Sequence, residues 1–538
     1  MAMIHDLVVV GSGMSGAHAA QTLLEGGRRV TMLDVGFRDT RVADLVPHGD
    51  FLSVRETDES QHRYFLGDAF EGIPWGEAGH SLTPPRRYIA HEVERWIPLR
   101  SEHFQPLESL CYGGLGSGWG AGCAVYPPIE LEAMGLDAGA LGAAYQVIAR
   151  RIGVAAQRDD ATPYCSEGLD EVQEPLRMDR SIRMLYEAYT RRRHAFHARG
   201  VFMGKDPMAV LTRPLGDRGG TRYTDMEFWS DPDRAVYRTW MTLDALRRRE
   251  DFHYVPRRLV LRFEEMSDRV RVLTRRTDTL DDESFDCRTL VLAAGTLGTA
   301  RIVLRSLPGP RRLPLLTNAY AIAACLNPRM LGATLERERT SLGQLEMFVD
   351  PDRNRLGARM ISLYTYRSLL LFKLLKEVPL ALADALPLMR AMSPAIVLAT
   401  INHPDHPDPG KYVERVADPE SPTGDALRAV YALTELERRR NARCERTVLG
   451  ALRRLGCIPL KLQHLPPGAT VHYGGTLPFR EDEAPLSLSR EGRLAGTRSV
   501  LVADGSGFRY LPANGPSFTL MANAHLVARG LLERGASA

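Results

Sequence analysis

The chain has 538 residues with 69 basic and 66 acidic side chains, a formal net charge of +3, 44% hydrophobic residues and 25% charged ones. These are the proportions of a soluble globular protein, and they exclude wholesale disorder. So small a net charge gives no electrostatic case for nucleic acid or an anionic membrane as partner. All but five of the basic residues are arginine, a bias expected from genomic base composition rather than from an arginine-based binding surface.

The first predicted element is a strand over residues 5–10 (HDLVVV), apolar enough to be a buried parallel strand. With no basic segment before it, the N-terminus reads as that strand rather than as a signal peptide, and the expected location is the cytoplasm. Gly11-Ser12-Gly13-Met14-Ser15-Gly16 follows, then a helical pattern, then a β-type run ending at Asp34. This is the dinucleotide fingerprint in its context. Gly11 permits the tight turn, Gly13 lets backbone approach a pyrophosphate, and Gly16 allows close helix–strand packing. Asp34 stands where a carboxylate hydrogen-bonds ribose hydroxyls, and it disfavours the 2′-phosphate of NADP. The fingerprint by itself serves FAD or NAD equally; its place at the N-terminus inclines the reading towards a flavoprotein.

Residues 111–126 (CYGGLGSGWGAGCAVY) hold six glycines around Trp119. Glycine is too costly in helices and strands for this to be an element interior. A mobile loop is one reading; a backbone passing close to a large planar ligand is the other. Residues 288–305 (RTLVLAAGTLGTARIVLR) predict a strand, a turn at Ala294-Gly295 and a helix. Residues 368–393 are the most apolar stretch, but Lys373, Lys376, Glu377, Asp384, Arg390 and two prolines interrupt it. A buried or amphipathic helix pair is expected there, not a spanning helix. The run 427–456 alternates apolar and charged faces and predicts one long helix. TVHYGGT (470–476) and LVADGSGFRYLPANGPSFTLM (501–521) close the chain, with a final helix after them. Seven scattered cysteines without a C-x-x-C pair argue against a disulfide framework and a zinc site, and no metal is expected.

Together these segments resemble the glucose–methanol–choline (GMC) oxidoreductases, flavoenzymes that oxidise alcohols. GSGMSG with Asp34 is similar to that family's FAD signature, GGLGSGWG to its flavin-facing segment, LVLAAGTLGTARIVLRS to its strand–helix, and HYGGT with DGS…PANGPSFT to its C-terminal active-site pattern. The resemblance implies a doubly wound α/β FAD domain, Rossmann-like, with an inserted α+β substrate domain. Boundaries are expected at 1–130, 236–310 and 466–538 for the FAD domain and at 131–235 and 311–465 for the substrate domain.

Carried over residue by residue, the resemblance implies His472 as catalytic base. The family's second active-site residue precedes a proline; here Gly515 precedes Pro516, so the partner is either Asn514, one residue earlier, or a water. The cofactor residues implied are Gly11, Ser12, Gly13, Met14, Ser15, Gly16, Asp34, Gly113, Gly114, Ser117, Trp119, Gly120, Val260, Ala294, Gly295, Asp504, Gly505, Gly515 and Pro516. Ser506 completes the D-x-S turn. No histidine lies between Gly113 and Tyr126, where covalently flavinylated members carry one, which implies noncovalent FAD. His464 and His525 are read as structural.

The expected reaction is oxidation of an alcohol: hydride to the flavin, hydroxyl proton to an imidazole whose ordinary pKa leaves it neutral enough to accept it. The loop variant GGLGSGWGAG is similar to a bacterial branch that oxidises primary hydroxyls of paromamine-type aminoglycoside precursors; a general sugar, polyol or sterol-like alcohol stands beside it. A polycationic substrate would require acidic groups in its pocket, for which Glu346 and Asp350 are candidates. The electron acceptor, O2 or another, is left open. Two rivals remain: an NAD-dependent dehydrogenase, and a non-catalytic flavin-binding assembly protein.

Overall fold

The structure is a computed structural model. It describes residues 4–39, 46, 49–65, 67, 82, 84–227, 230–365, 379–482 and 484–536.

In chain order the strands that build the two large sheets are β1 (Ile4–Val10), β2 (Val30–Leu33), β3 (Val201–Gly204), β4 (Phe252–Val255), β5 (Arg258–Glu265), β6 (Val270–Arg276), β7 (Asp282–Leu292), β8 (Ala319–Leu326), β9 (Leu345–Val349), β10 (Arg359–Tyr364), β11 (Ile396–His403), β12 (Ile458–His464) and β13 (Val500–Val502). The helices used below are α1 (Met14–Glu25), α2 (Ala138–Ile152), α3 (Arg180–Arg191), α4 (Thr296–Ser306), α5 (Glu435–Leu455) and α6 (Ser517–Ala536).

The first sheet runs β4-β2-β1-β7-β6-β5, with β13 also pairing β7. Its centre is parallel: β1 pairs β2 and β7, β2 pairs β4, and β13 pairs the last residues of β7. Parallel pairing buries both faces, which is why Leu7, Val8, Val9 and Val10 are all buried although they alternate in direction. Each such side chain contributes about 1.5–3 kcal/mol by leaving water. The first half of β7 pairs β6 antiparallel, and β6 pairs β5. Helices α1 and α6 pack on one side, sharing a core of Ala17, Ala20, Leu24, Ala524 and Val527. This is the doubly wound α/β fold that the fingerprint predicts.

The second sheet, β12-β8-β11-β10-β9-β3, is antiparallel throughout. Period-two alternation gives it two different faces. Leu345, Met347, Ile361, Leu363, Val397, Ala399 and Ile401 face α3 and α5 in a second core. Glu346, Met360, Ser362, Tyr364, Thr400, Asn402 and Tyr320 face the other way and line a cavity.

One expectation needs correction. The run 427–456 is not one helix: Asp425–Val430 is a strand paired with Tyr412–Ala417, and α5 begins only at Glu435. Thr434 caps it, accepting from the Glu437 N–H while Glu437 accepts from the Thr434 N–H. Such a capping box stabilises a helix start by about 1 kcal/mol, and it overrides the apolar periodicity before it. Of the stretch 368–393, residues 368–378 lie outside the described residues, while Leu382–Met392 is a helix carrying Pro387 inside it. No helix among the described residues is long and apolar enough to cross a membrane.

Candidate active site

A cavity of about 520 Å³ opens where the carboxyl ends of the parallel strands face the polar side of the second sheet. At one end lie Gly11, Ser12, Gly13, Met14 and Ser15, with Asp34 and Val260 beside them. The crossing of β1, β2 and β7 produces this crevice, since neighbouring loops turn to opposite sides of the sheet there. Gly11 adopts φ +94°, and a Cβ on it would meet the Ala293 carbonyl at 2.6 Å. A Cβ on Gly16 would fall 1.9 Å from the Gly11 carbonyl oxygen. Gly16 therefore does not line the cavity; it lets α1 close onto the loop. Gly13 does line it, and a Cβ there would meet nothing within 4 Å.

Ser12 ties three segments together. Its hydroxyl donates to Asp34 Oδ2 at 2.5 Å and accepts from the Gly113 N–H at 2.9 Å. Tyr254 donates to the same carboxylate oxygen at 2.8 Å. Burial raises the Asp34 pKa to about 6, against the pull of these donors. The carboxylate is thereby held in one orientation at the end of β2, facing the cavity.

The glycine-rich segment is not a mobile loop but a close-packed wall. Gly114, Trp119 and Gly120 line the cavity, whereas Gly113 and Ser117 sit behind it. Ser117 donates to the Tyr112 carbonyl, and the Trp119 indole N–H donates to the Tyr237 carbonyl, both at 2.8 Å. Ala294, Gly295, Asp504, Gly505 and Pro516 complete the rim. Asp504 accepts from the Ser506 N–H and hydroxyl and from the Thr299 hydroxyl, which stitches the C-terminal block to α4.

His472 lies on the cavity wall. The preceding Val471 is β-branched yet adopts φ +62°, a conformation that costs about 1–2 kcal/mol. The strain is retained where the chain turns His472 inward. His472 Nδ1 is 2.9 Å from Asn318 Oδ1. Asn318 Nδ2 donates to the carbonyls of His403 and Pro512, each at 2.9 Å. The amide orientation is thus determined by two acceptors, so its oxygen faces His472, and Nδ1 must carry the ring proton. Nε2 is left as the unprotonated atom. Burial lowers the His472 pKa to about 4, so the ring is neutral at neutral pH.

Asn514, expected as the second active-site residue, turns away. Its Nδ2 donates to the Tyr164 carbonyl at 3.0 Å, its Oδ1 is buried without a partner, and it does not line the cavity. Gly515 lines it instead, and a Cβ there would stand 3.4 Å from His472 Nε2. The residue that meets the imidazole is Asn318, which the sequence did not single out; nothing in TNAYAIAA distinguishes it. Asn402, on β11, is a second unpredicted amide in the cavity. Of the two acidic candidates, Glu346 lines the cavity beside Asp206, whereas Asp350 is tied to the Tyr164 hydroxyl and the Arg355 N–H elsewhere. His403 and His464 share Glu445, and His525 meets Thr22; none of the three lines the cavity. No cluster of metal-ligating side chains occurs among the described residues.

No protein-family model matches the sequence, and no curated protein matches it. Solved structures do match the fold. Pyridoxine 4-oxidase from Mesorbium loti superposes with a TM-score of 0.58 at 15% identity, over 98% of this chain and 99% of that one. An FAD-dependent oxidoreductase from Chaetomium thermophilum gives 0.59 at 12% identity, over 99% of this chain and 100% of that one. At such identities the likeness establishes the fold across the whole chain.

Proposed function

We propose that this chain binds FAD noncovalently and oxidises an alcohol to its carbonyl compound, the substrate group being a primary hydroxyl of a sugar or aminoglycoside precursor and His472 the catalytic base. One observation carries the reading: an imidazole whose Nδ1–H is held by Asn318, with Nε2 unprotonated, stands in the same cavity as a complete dinucleotide loop. Two solved proteins of this fold are named as an oxidase and an FAD-dependent oxidoreductase, which supports it.

The residues suit the cofactor. Gly13, Gly120 and Gly295 all line the cavity, and a Cβ on any of them would project into unfilled space. That is the wall a large planar ligand needs. Gly11 to Ser15 would receive the pyrophosphate on the N-terminus of α1, Asp34 the adenosine ribose, and Val260 the adenine. Trp119, Gly120, Asp504, Gly505 and Pro516 would border the flavin. Bound FAD would supply the acceptor for the hydride leaving the substrate carbon.

The protein supplies the proton acceptor and the positioning. His472 Nε2 takes the hydroxyl proton, and the positive charge that develops on the ring is stabilised through Nδ1–H donating to Asn318 Oδ1. An imidazole of such low basicity does not generate a free alkoxide; it accepts the proton as the hydroxyl acidifies during oxidation of its carbon. Gly515 leaves room in front of Nε2 for the reacting oxygen. Ser362, Thr400 and Asn402 offer donors and acceptors to further hydroxyls of the substrate.

The test is anaerobic bleaching of the yellow holoprotein by a panel of sugars, amino sugars, aminoglycosides and simple alcohols. Bleaching by at least one alcohol, lost in His472→Ala, is expected. A colourless folded protein that takes up no flavin overturns the reading in favour of a NAD-dependent enzyme. A yellow protein whose turnover survives His472→Ala removes the base from its role.

A further inference from the structure

Glu346 lies on β9 between Gly204 of β3 and Ser362 of β10, and Asp206 follows β3 by two residues. Their carboxyl groups meet on the cavity wall, where Glu346 is 3% exposed and Asp206 8%. Neither forms an ion pair with an arginine or lysine among the described residues. Glu346 Oε2 has no hydrogen-bond partner, and the side-chain neighbour of the Asp206 carboxyl is Glu346 itself. Burying two adjacent carboxyl groups without a counter-charge is expensive. Buried Asp225 and Asp405, by contrast, carry counter-charges, Arg339 at 2.9 Å and Lys411 at 2.5 Å, and buried Glu130, without one, is held by the Gly357 N–H and the Tyr510 hydroxyl.

We infer that Asp206 and Glu346 form the subsite for a protonated amine of the substrate, whose ammonium group supplies the counter-charge the protein omits. The inference rests on the alcohol-oxidation reading, because the amine belongs to the molecule whose hydroxyl meets His472. On the sheet, Glu346 is two strands across and three residues along from His403, whose carbonyl holds Asn318. That is about 14 Å between the Glu346 and His403 Cα atoms from ordinary strand spacings, so the carboxyl pair and His472 occupy different stretches of the cavity wall. Ser362 and Thr400 occupy the row between.

The groups that face the pair add no cation. Asp159, Cys165 and Cys123 are its titratable neighbours, from the turn before Cys165 and from the glycine-rich wall. Burial raises the Asp206 pKa to about 7, against the pull of a hydrogen bond to Glu346, while burial and then the neighbouring Asp206 push that of Glu346 well above the ordinary carboxylate value. Without ligand the pair retains a proton at neutral pH; an ammonium group displaces it. Amine binding should therefore tighten as pH rises from mildly acidic to mildly alkaline, while the amine remains charged.

Calorimetric titration of the flavin-loaded protein with paromamine and with N-acetylated paromamine tests this. The free amine should bind at least about tenfold more tightly, with the difference growing as pH rises. Asp206→Asn and Glu346→Gln should each remove most of that preference and leave affinity for the acetylated compound unchanged, their flavin absorbance showing that the fold and cofactor site survive. Equal affinity of the wild-type protein for both compounds overturns the inference, even if no variant folds, and so does an amine preference that survives both substitutions. Either result leaves flavin uptake and the role of His472 standing, whereas a protein without flavin strikes at the alcohol-oxidation reading instead.

Discussion

Asn318 Oδ1 lies 2.9 Å from His472 Nδ1, and both hydrogens of the Asn318 amide are taken by backbone carbonyls. The amide cannot flip without losing two hydrogen bonds, so it imposes one tautomer on the imidazole. His472→Ala should lower kcat by about 10²–10⁴-fold with flavin absorbance retained. Asn318→Leu should lower it by about tenfold or more and leave KM nearly unchanged, because the ring loses its orientation and not its substrate contacts. Steady-state kinetics on both variants check this.

The acid side of the pH profile follows from burial. Because the His472 pKa is lowered to about 4, kcat/KM for an alcohol without an amine should stay flat through neutrality and fall only as pH drops towards that value. Asn318→Asp places a carboxylate against Nδ1 and stabilises the protonated ring. Its acid limb should move up by about one pH unit or more.

Gly515 leaves open the space in front of Nε2. A methyl group there would sit 3.4 Å from that atom, within the volume a substrate oxygen must share. Gly515→Ala should raise KM for the alcohol and lower kcat/KM while leaving the thermal midpoint unchanged or slightly raised, since Ala restricts the unfolded chain by about 0.4–1 kcal/mol. Kinetics and calorimetry together separate the two effects.

The fingerprint glycines should fail in different ways. Gly16→Ala forces a Cβ to within 1.9 Å of the Gly11 carbonyl and should destabilise the fold itself. Gly13→Val fills only cavity space, so the flavin-free protein should unfold at the same midpoint as the flavin-free wild type while flavin affinity is lost. Thermal unfolding and flavin retention on gel filtration distinguish them.

The carboxyl pair should cost stability. A buried acid whose folded pKa is raised stabilises the protein below its unfolded value and loses that contribution as pH rises through the folded one. For Asp206 that window runs from the ordinary carboxylate value up to about 7. Asp206→Asn should therefore unfold at a higher temperature than the wild type, by about 1–3 °C at alkaline pH and by less at acidic pH. A midpoint that is lower at every pH contradicts this.

The dinucleotide half of the cavity was legible because its determinants are local. Gly11, Gly13, Gly16 and Asp34 act within one strand–turn–helix–strand unit, where backbone sterics and strand ends decide where each group stands. The start of α5 at Thr434 is equally local, but its capping box lies inside a longer apolar periodicity that masks it. The reactive half was legible only as far as His472. Asn514 adjoins the open glycine in sequence and yet turns to Tyr164, while Asn318, 154 residues before His472, reaches the ring. Glu346 faces the cavity and Asp350, four residues on, does not, since β9 ends between them.

The amino-acid sequence by itself determined the first parallel strands and the glycine turn between them, because these depend on patterns a few residues to a few tens of residues long, and the family resemblance singled out His472. Only the packing of the second sheet over the first decided which amide orients the imidazole and which carboxyl groups share its cavity. Those pairings follow from strand register and from competition for distant backbone carbonyls, neither of which is written in any one segment.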